Sequence, residues 1–326
     1  MHLRLVKGAY WDYEIKHAQV SGYEGYPVFS KKSLTDISFL SCARQILQNK
    51  KIYPKFATHN AHTISSISFL AKDSPYEFQR LYGMGELLYK SASEVLGLDK
   101  RPSIYAPIGN YKDLLPYLVR RLLENGANSS FINRLLDPET DSKWLAENPM
   151  VRMKKETKEI PLPKDIFNKR ENSSGYDLTE DENLKRLESS LAKFENALVD
   201  AESIYVGRVK SSTSAHKAIS VANNKLIGSV TFDDPSNIEN AITNKSESIW
   251  NHFSVDERSK ILQDIADHIE QEPNQLIFYL INEAGKTIQN AIDEIREAID
   301  FLRYYSEQIK EINKNNELEG PTGEIN

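Results

Sequence analysis

Residues 53–71, YPKFATHNAHTISSISFLA, indicate the fold class. Its first six residues, 53–58, are typical of a short β-strand, and a polar turn, THN, closes that run. Apolar residues then recur at helical spacing: Ile64, Ile67, Phe69 and Leu70. A strand that passes through a polar turn into a helix is the βα unit from which parallel sheets are built.

The same unit recurs through the first 137 residues. Strand-like runs are predicted at residues 2–6, 53–58, 77–81 and 103–106, and a segment with helical spacing follows each of them. The repeat indicates an α/β fold with a parallel sheet. Four such units make either half of an eight-stranded βα barrel or a small open, doubly wound sheet.

The βα repeat ends after residue 137. Residues 138–213 contain scattered prolines and an NSSG cluster, which is typical of a linker, with a helix predicted from the TEDE capping box at 179–182 to about residue 197. Residues 214–326 begin with a predicted β-hairpin at 216–232 and are otherwise helical. A stripe of apolar residues predicts one long amphipathic helix there: Ile288, Ile292, Ile295, Ile299 and Leu302.

The composition excludes several classes of protein. Of the 326 residues, 40% are hydrophobic and 27% are charged, which is the ordinary balance of a globular chain. Acidic residues outnumber Lys and Arg by 47 to 41, and no long basic run is present, so nucleic acid is not expected as a partner. No apolar stretch has the length of a membrane span or a signal-peptide core, which predicts a cytoplasmic protein.

Candidate ligand-binding residues follow the predicted strands. Parallel βα folds bind ligands at the carboxyl ends of their strands, where Lys7 and His59 would suit an anionic group. Arg120 and Arg121 lie in the middle of a predicted helix, where their guanidiniums point about 100° apart. At least one therefore turns toward the domain and requires an anionic partner. The alternative interpretation is a solvated helix face stabilised by ion pairs with Glu124.

Neither a metal nor a reactive thiol is expected. His59 and His62 are three residues apart, but no third ligand stands near them in the sequence, so no metal site is predicted. Cys42 is the single cysteine and falls within the apolar stripe of residues 37–47. We expect it to be a buried, inert thiol.

Longer motifs at these positions resemble proline dehydrogenase, in the form fused in bacterial bifunctional proline utilization A proteins. Five segments are similar to that family's fifth to eighth barrel strands and last barrel helix: 4–12 (RLVKGAYWD), 56–63 (FATHNAHT), 76–85 (YEFQRLYGMG), 104–109 (IYAPIG) and 117–131 (YLVRRLLENGANSSF). Tyr82 departs from the His that the fused family commonly has there. The resemblance implies the second half of a (β/α)8 barrel over residues 1–137.

The resemblance implies FAD-dependent oxidation of L-proline to 1-pyrroline-5-carboxylate. Arg4 matches the catalytic residue beside the flavin. The family's FAD contacts are matched by Arg4, Lys7, Gly8, Ala9, Ser30, Lys32, Thr58 and His59. Its substrate-binding residues are matched by Leu81 and Tyr105, which pack on the proline ring, and by Arg120 and Arg121, which bind the carboxylate.

The C-terminal part resembles a second enzyme. Residues 226–326, with EAGKT at 283–287 and EIREAIDFLRYY at 294–305, are similar to the opening of the fused aldehyde dehydrogenase that oxidises glutamate semialdehyde. The chain then corresponds to an internal fragment of a bifunctional enzyme. NAD belongs to the complete aldehyde dehydrogenase domain and is not expected to bind here.

The resemblance also implies partners. These are a membrane quinone that accepts the electrons, with peripheral association at the inner membrane, and a companion chain that supplies the missing half of the barrel. A second hypothesis, in which the chain has no catalytic role, remains open beside this one. The chain would then be a catalytically inactive remnant or interaction module of a split gene, whose helical C-terminal part binds a partner.

Overall fold

The computed structural model describes residues 1–8, 10–98, 101–126, 147–156, 159–204, 215–243 and 249–315. The chain forms two compact units: Met1–Ile15 with Pro27–Ile160, and Lys16–Tyr26 with Pro161–Asn326. Each unit has its own hydrophobic core. Within the described ranges, no helix combines the length and the apolar character that crossing a membrane requires.

The first unit is built on four parallel strands: β1 (His2–Val6), β2 (Tyr53–Ala57), β3 (Glu77–Leu81) and β4 (Ser103–Tyr105). All four predicted strands are confirmed to within one residue. Their order in the sheet is β1-β2-β3-β4. A doubly wound sheet reverses its order at a switch point, and this sheet does not, so that alternative is wrong.

Helices alternate with these strands: α1 (Trp11–Ser21), α2 (Lys32–Gln48), α3 (Ala61–Ala71), α4 (Glu86–Leu96), α5 (Tyr111–Gly126) and α6 (Pro149–Lys155). The core lies between one face of the sheet and α2, α3 and α4. Phe56 of β2 and Phe78 of β3 are register partners on that face, and Ile64 and Ile67 of α3 join the same cluster. Burial of each such side chain stabilises the fold by about 1.5–3 kcal/mol.

The second unit has a small mixed sheet: β5 (Val199–Glu202), β6 (His216–Ile219) and β7 (Leu226–Thr231), in the order β5-β7-β6. The predicted hairpin is confirmed, because β6 and β7 are antiparallel. Within the described ranges, one α-helix of this unit precedes the three strands in the chain and four follow them: α7 (Asp181–Leu191), and then α8 (Pro235–Thr243), α9 (Val255–Gln271), α10 (Asn274–Asn282) and α11 (Ile288–Asn315). The predicted long amphipathic helix is α11, and its apolar stripe is buried at Ile292, Ile295 and Ile299.

Two local predictions are wrong. Cys42 is exposed, because the buried stripe of α2 runs through Phe39, Ala43 and Leu47 and leaves its neighbours turned outward. The capping box at 179–182 does not form either. Glu180 is the N-cap of α7, while the Thr179 hydroxyl donates to Asp177 Oδ1 at 2.6 Å.

Candidate functional site

The carboxyl ends of the four parallel strands meet at one edge of the sheet. Leu81 and Tyr105 are register partners at this edge. Arg4 pairs in register with Lys55, which pairs with Glu77 of β3. Because strand residues two apart share a face, all five side chains lie on one face of the sheet. This is the face opposite the core, and Val6 and Tyr105 on it are 56% and 46% exposed.

A chain of aromatic contacts joins Arg4 to α5. The Cζ of Arg4 lies 5.6 Å from the centroid of the Tyr105 ring. That ring lies 6.3 Å from the ring of Tyr117 on α5, and the Cζ of Arg121 lies 5.4 Å from the Tyr117 centroid. A guanidinium over an aromatic face is held by the ring quadrupole. Arg4 and Arg121 are therefore joined through two tyrosines at the same end of the sheet.

Arg120 contacts the segment that joins β1 to α1. Its Nη1 donates to the hydroxyl of Tyr10 at 3.1 Å, and Tyr10 directly precedes α1. Arg4 and Arg121 are thus joined through Tyr105 and Tyr117, whereas Arg120 contacts Tyr10, and the side chains of Arg4 and Arg120 are exposed.

His59 lies at this edge in its neutral form. Its Nε2 accepts a hydrogen bond from the Leu81 backbone N–H at 3.2 Å, so the neutral ring carries its proton on Nδ1. Burial lowers the pKa of His59 first, and the positive charges of Arg80 and Arg121 lower it further. The turn that precedes α4 closes on this ring, since a Cβ on Gly85 would lie 2.7 Å from its Cδ2.

Lys7 is directed away from Arg4. Its ammonium forms an ion pair with the buried carboxylate of Asp36 and donates to Thr63 Oγ1 at 3.2 Å. Asp36 lies in the first turns of α2, so this pair brings the start of α2 to the end of β1. Ser30 and Lys32 belong to that start, and Lys32 is the first residue of the helix.

The remaining candidates have simpler surroundings. Gly8 is exposed, and a Cβ added to it would find no atom within 4 Å. Thr58 is buried, and its carbonyl accepts a hydrogen bond from the hydroxyl of Tyr89 at 2.8 Å. Ala9 lies outside the described residues.

Two residues at this edge were missed at the level of sequence. Asp36 shares the buried stripe of α2 with Ser33 and Phe39, and a carboxylate on an apolar stripe is the signal that could have identified it. Tyr10 carried no such signal, because nothing in its spacing relates it to Arg120, 110 residues later.

Comparison with known proteins gives two consecutive family matches. Residues 1–134 match the family model described as proline dehydrogenase, and residues 208–325 match the aldehyde dehydrogenase family. The bifunctional protein PutA of Escherichia coli (strain K12) is 40% identical over 99% of this chain, and that of Rhizobium meliloti is 39% identical over 94%. The chain spans about a quarter of their length, 26% in each case.

Solved structures agree with these matches. A crystal structure of a mutant proline utilization A from Bradyrhizobium japonicum superposes with a TM-score of 0.79 at 35% identity. The alignment covers 98% of this chain and 30% of that one. The chain thus carries a proline dehydrogenase region followed by part of an aldehyde dehydrogenase region, and over nearly its whole length it is similar to the corresponding stretch of bifunctional proline utilization A proteins.

Proposed function

We propose that the strand-end site of the first unit oxidises L-proline to 1-pyrroline-5-carboxylate with FAD as the hydride acceptor, as part of a longer bifunctional enzyme. The observation that carries the proposal is the contact chain Arg4, Tyr105, Tyr117 and Arg121 at the carboxyl ends of parallel strands. The strand order without reversal supports the second half of a (β/α)8 barrel as its scaffold.

Arg120 and Arg121 would bind the carboxylate of proline. A guanidinium presents a planar fork of donors that matches a carboxylate, and two of them suit an amino acid's anionic end. Tyr10 holds one of the guanidiniums through its hydroxyl, and Tyr117 holds the other through its ring. Leu81 and Tyr105, side by side at the strand ends, would pack on the proline ring.

The residues around this edge fit a flavin. When bound, FAD supplies the acceptor for the hydride that leaves the proline ring. Arg4 would place a fixed positive charge beside the ring system, and His59 offers an Nδ1–H donor. Gly8 leaves the backbone accessible to a flat ligand. Because the Lys7 ammonium is neutralised by Asp36, Lys7 would contact the cofactor through its backbone.

The other proposed contacts come from the segments that the Lys7–Asp36 pair brings together. Ala9 would belong to the loop after β1, Ser30 and Lys32 would contact the adenosine side, and Thr58 would contact the flavin beside His59. A membrane quinone would reoxidise the flavin at the inner membrane, and another polypeptide segment would complete the barrel. NAD would bind only to the whole aldehyde dehydrogenase domain.

Visible absorption of the purified chain incubated with FAD tests the proposal. When the polypeptide segment that completes the barrel is supplied, we expect flavin bands near stoichiometry that are bleached by L-proline under anaerobic conditions. Arg121→Met should raise the KM for proline by roughly tenfold to a hundredfold, because a charge-assisted hydrogen bond is lost. Arg44→Met, which removes an exposed guanidinium on α2, is the matched control and should leave the KM unchanged. A colourless chain that retains no FAD would instead support an inactive remnant or interaction module.

A further inference from the structure

Helix α6 lies between the two family matches and packs on α2. The proline dehydrogenase match ends at residue 134 and the aldehyde dehydrogenase match begins at residue 208, whereas α6 covers residues 149–155. The helix nevertheless belongs to the compact unit that contains the four parallel strands. It contacts α2, and Pro149 at its first position is buried. The first unit therefore includes a segment that lies outside its family match.

Two buried side chains of α2 face this segment. Ser33 is fully buried, and its hydroxyl donates to Glu156 Oε2 at 2.6 Å, just after the end of α6. Asp36 is 4% exposed, and its Oδ2 lies 3.9 Å from Arg152 Nη1. Residues three apart lie on the same face of a helix, so one face of the first turns of α2 meets both contacts. The bond to Glu156 is the stronger of the two, because it is short and its acceptor is charged.

The carboxylate of Asp36 is shared between two cations. Its Oδ1 forms an ion pair with Lys7 at the end of β1, and its Oδ2 faces Arg152 of α6. A buried charge that loses one of its partners is strongly destabilised. The start of α2 is consequently held by β1 on one side and by α6 on the other.

The beginning of α2 depends on such contacts because its N-cap is a lysine. Lys31 occupies that position, and a lysine side chain has no acceptor for the free backbone N–H groups of the first turn. Its ammonium pairs with Glu159 at 2.7 Å, but that carboxylate is 75% exposed and contributes little. Ser30 and Lys32, which are proposed to contact the adenosine side of FAD, flank this N-cap. Lys32 directly precedes the anchored Ser33.

We propose that Glu156 is a positioning residue for the start of α2 and, through it, for the residues that contact the adenosine side of FAD. The carboxylate accepts the hydroxyl of Ser33 and so holds the first turn of a helix that has a lysine as its N-cap. Arg152 supports the same turn through Asp36. The part of the inference that concerns FAD rests on the proposed function, whereas the effect on α2 does not.

Hydrogen–deuterium exchange of the full chain tests the effect on α2. The readout is amide exchange at residues 36–39, whose N–H groups have intrahelical acceptors at residues 32–35. Glu156→Ala should accelerate this exchange by roughly tenfold or more, because a hydrogen bond to a charged group is lost. Glu156→Gln keeps a carbonyl oxygen that can accept the Ser33 hydroxyl, and it should retain most of the protection.

A core variant of the same unit is the matched control. Ile67 is buried in the first core, and Ile67→Val or Ile67→Ala is chosen to lower the melting temperature as much as Glu156→Ala does. Equal exchange at residues 36–39 in Glu156→Ala and in this control would overturn the inference. Should Glu156→Ala fail to fold, Ser33→Ala decides in the same way, because it removes the donor of the same hydrogen bond.

Binding of FAD tests the second part, with the polypeptide segment that completes the barrel supplied. Glu156→Ala should raise the Kd for FAD by roughly tenfold, because a smaller fraction of the chain has the start of α2 in place. The KM for proline at saturating FAD should stay unchanged, since the proposed carboxylate ligands lie on α5. An unchanged Kd for FAD beside faster exchange would overturn the role toward the cofactor. A wild type that binds no FAD would remove the proposed function, while the exchange result would still decide the role of Glu156 at α2.

Discussion

At the scale of single residues, His59 and Gly85 depend on each other at the end of β3. The ring of His59 accepts the Leu81 N–H and occupies the space where a side chain at position 85 would stand. The imidazole is consequently held neutral and in one tautomer. A cofactor that contacts it would meet an N–H donor and no added positive charge.

The pH dependence of stability should report on His59. Burial, with Arg80 and Arg121, lowers its pKa in the folded chain, so the unfolded chain binds this proton first as the pH falls. Its contribution to stability is full above the unfolded value of about 6.5 and is lost as the pH falls through the folded value. We expect His59→Asn to flatten the fall in melting temperature between about pH 7 and pH 5. His62, whose pKa is also lowered, should keep part of the slope in that variant. An unchanged slope would contradict the assignment.

The two glycines at the ends of α4 provide a matched pair. Gly85 and Gly97 both have a left-handed backbone, with φ of +70° and +63°. Alanine at either position should cost about 1–2 kcal/mol of backbone strain. Gly85→Ala should cost about 1–3 kcal/mol more, because its Cβ also meets His59, whereas nothing lies within 4 Å of a Cβ on Gly97. Urea denaturation of both variants measures the difference, and equal losses would show that the His59 ring moves aside freely.

Some residues of the candidate site could be predicted from their spacing in the sequence, and others could not. The Arg120 and Arg121 pair could be proposed from spacing, because adjacent side chains on a helix point about 100° apart. The partners of the pair could not, since Tyr10 and Tyr117 reach them only through the tertiary fold. The same holds for Asp36, which takes the Lys7 ammonium that was expected to face an anionic ligand.

At the scale of elements, helix caps show how local sequence and structure relate. Ser254 and Glu257 form the reciprocal capping box that their spacing predicts for α9. The similar box at 179–182 fails because Asp177 takes the Thr179 hydroxyl and shifts the N-cap to Glu180. The same spacing therefore forms a capping box at Ser254 but not at Thr179, because Asp177, two residues before Thr179, accepts a hydrogen bond from its hydroxyl.

This difference predicts unequal costs for two alanine substitutions. Ser254→Ala should lower the free energy of unfolding by about 1 kcal/mol, as loss of an N-cap hydrogen bond does. Thr179→Ala removes only an exposed hydrogen bond outside the helix and should cost less than about 0.5 kcal/mol. Chemical denaturation of both variants checks the prediction. It is contradicted if Thr179→Ala proves as costly as Ser254→Ala.

Strands differ in how far the sequence predicts them. The four strands of the first unit are confirmed because β-forming residues and polar turns bound each run locally. Strand β5, with the sequence VDAE, lies in the segment predicted to be a linker. It carries two acidic residues and is a strand because its backbone pairs in parallel with β7, from Val199 opposite Gly228 to Glu202 opposite Thr231. A strand that forms through pairing with a distant segment cannot be predicted from its own local sequence pattern.

At the scale of the whole molecule, the two hydrophobic cores share no residue. Ile67 is fully buried in the first core, and Ile292 is 2% exposed in the second. Each substitution to Ala should cost about 2–5 kcal/mol in its own unit. The losses should add to within about 0.5 kcal/mol in the double variant, as for distant sites without shared partners. Calorimetry of the two single variants and the double variant measures this, and a large coupling energy would show that the two sites share structural partners.

Helix α1 has a consequence for dissection of the chain. Residues 16–26 lie between two stretches of the first unit, yet they belong to the second. No single cut of the backbone can therefore divide the molecule into its two units, and a product that stops near residue 160 would carry the whole of α1 with its terminal carbonyls deprived of Arg296 and Asn172. Recombination between relatives meets the same obstacle. A segment exchanged at that boundary would carry a helix whose last turn lacks the donors that Arg296 and Asn172 supply.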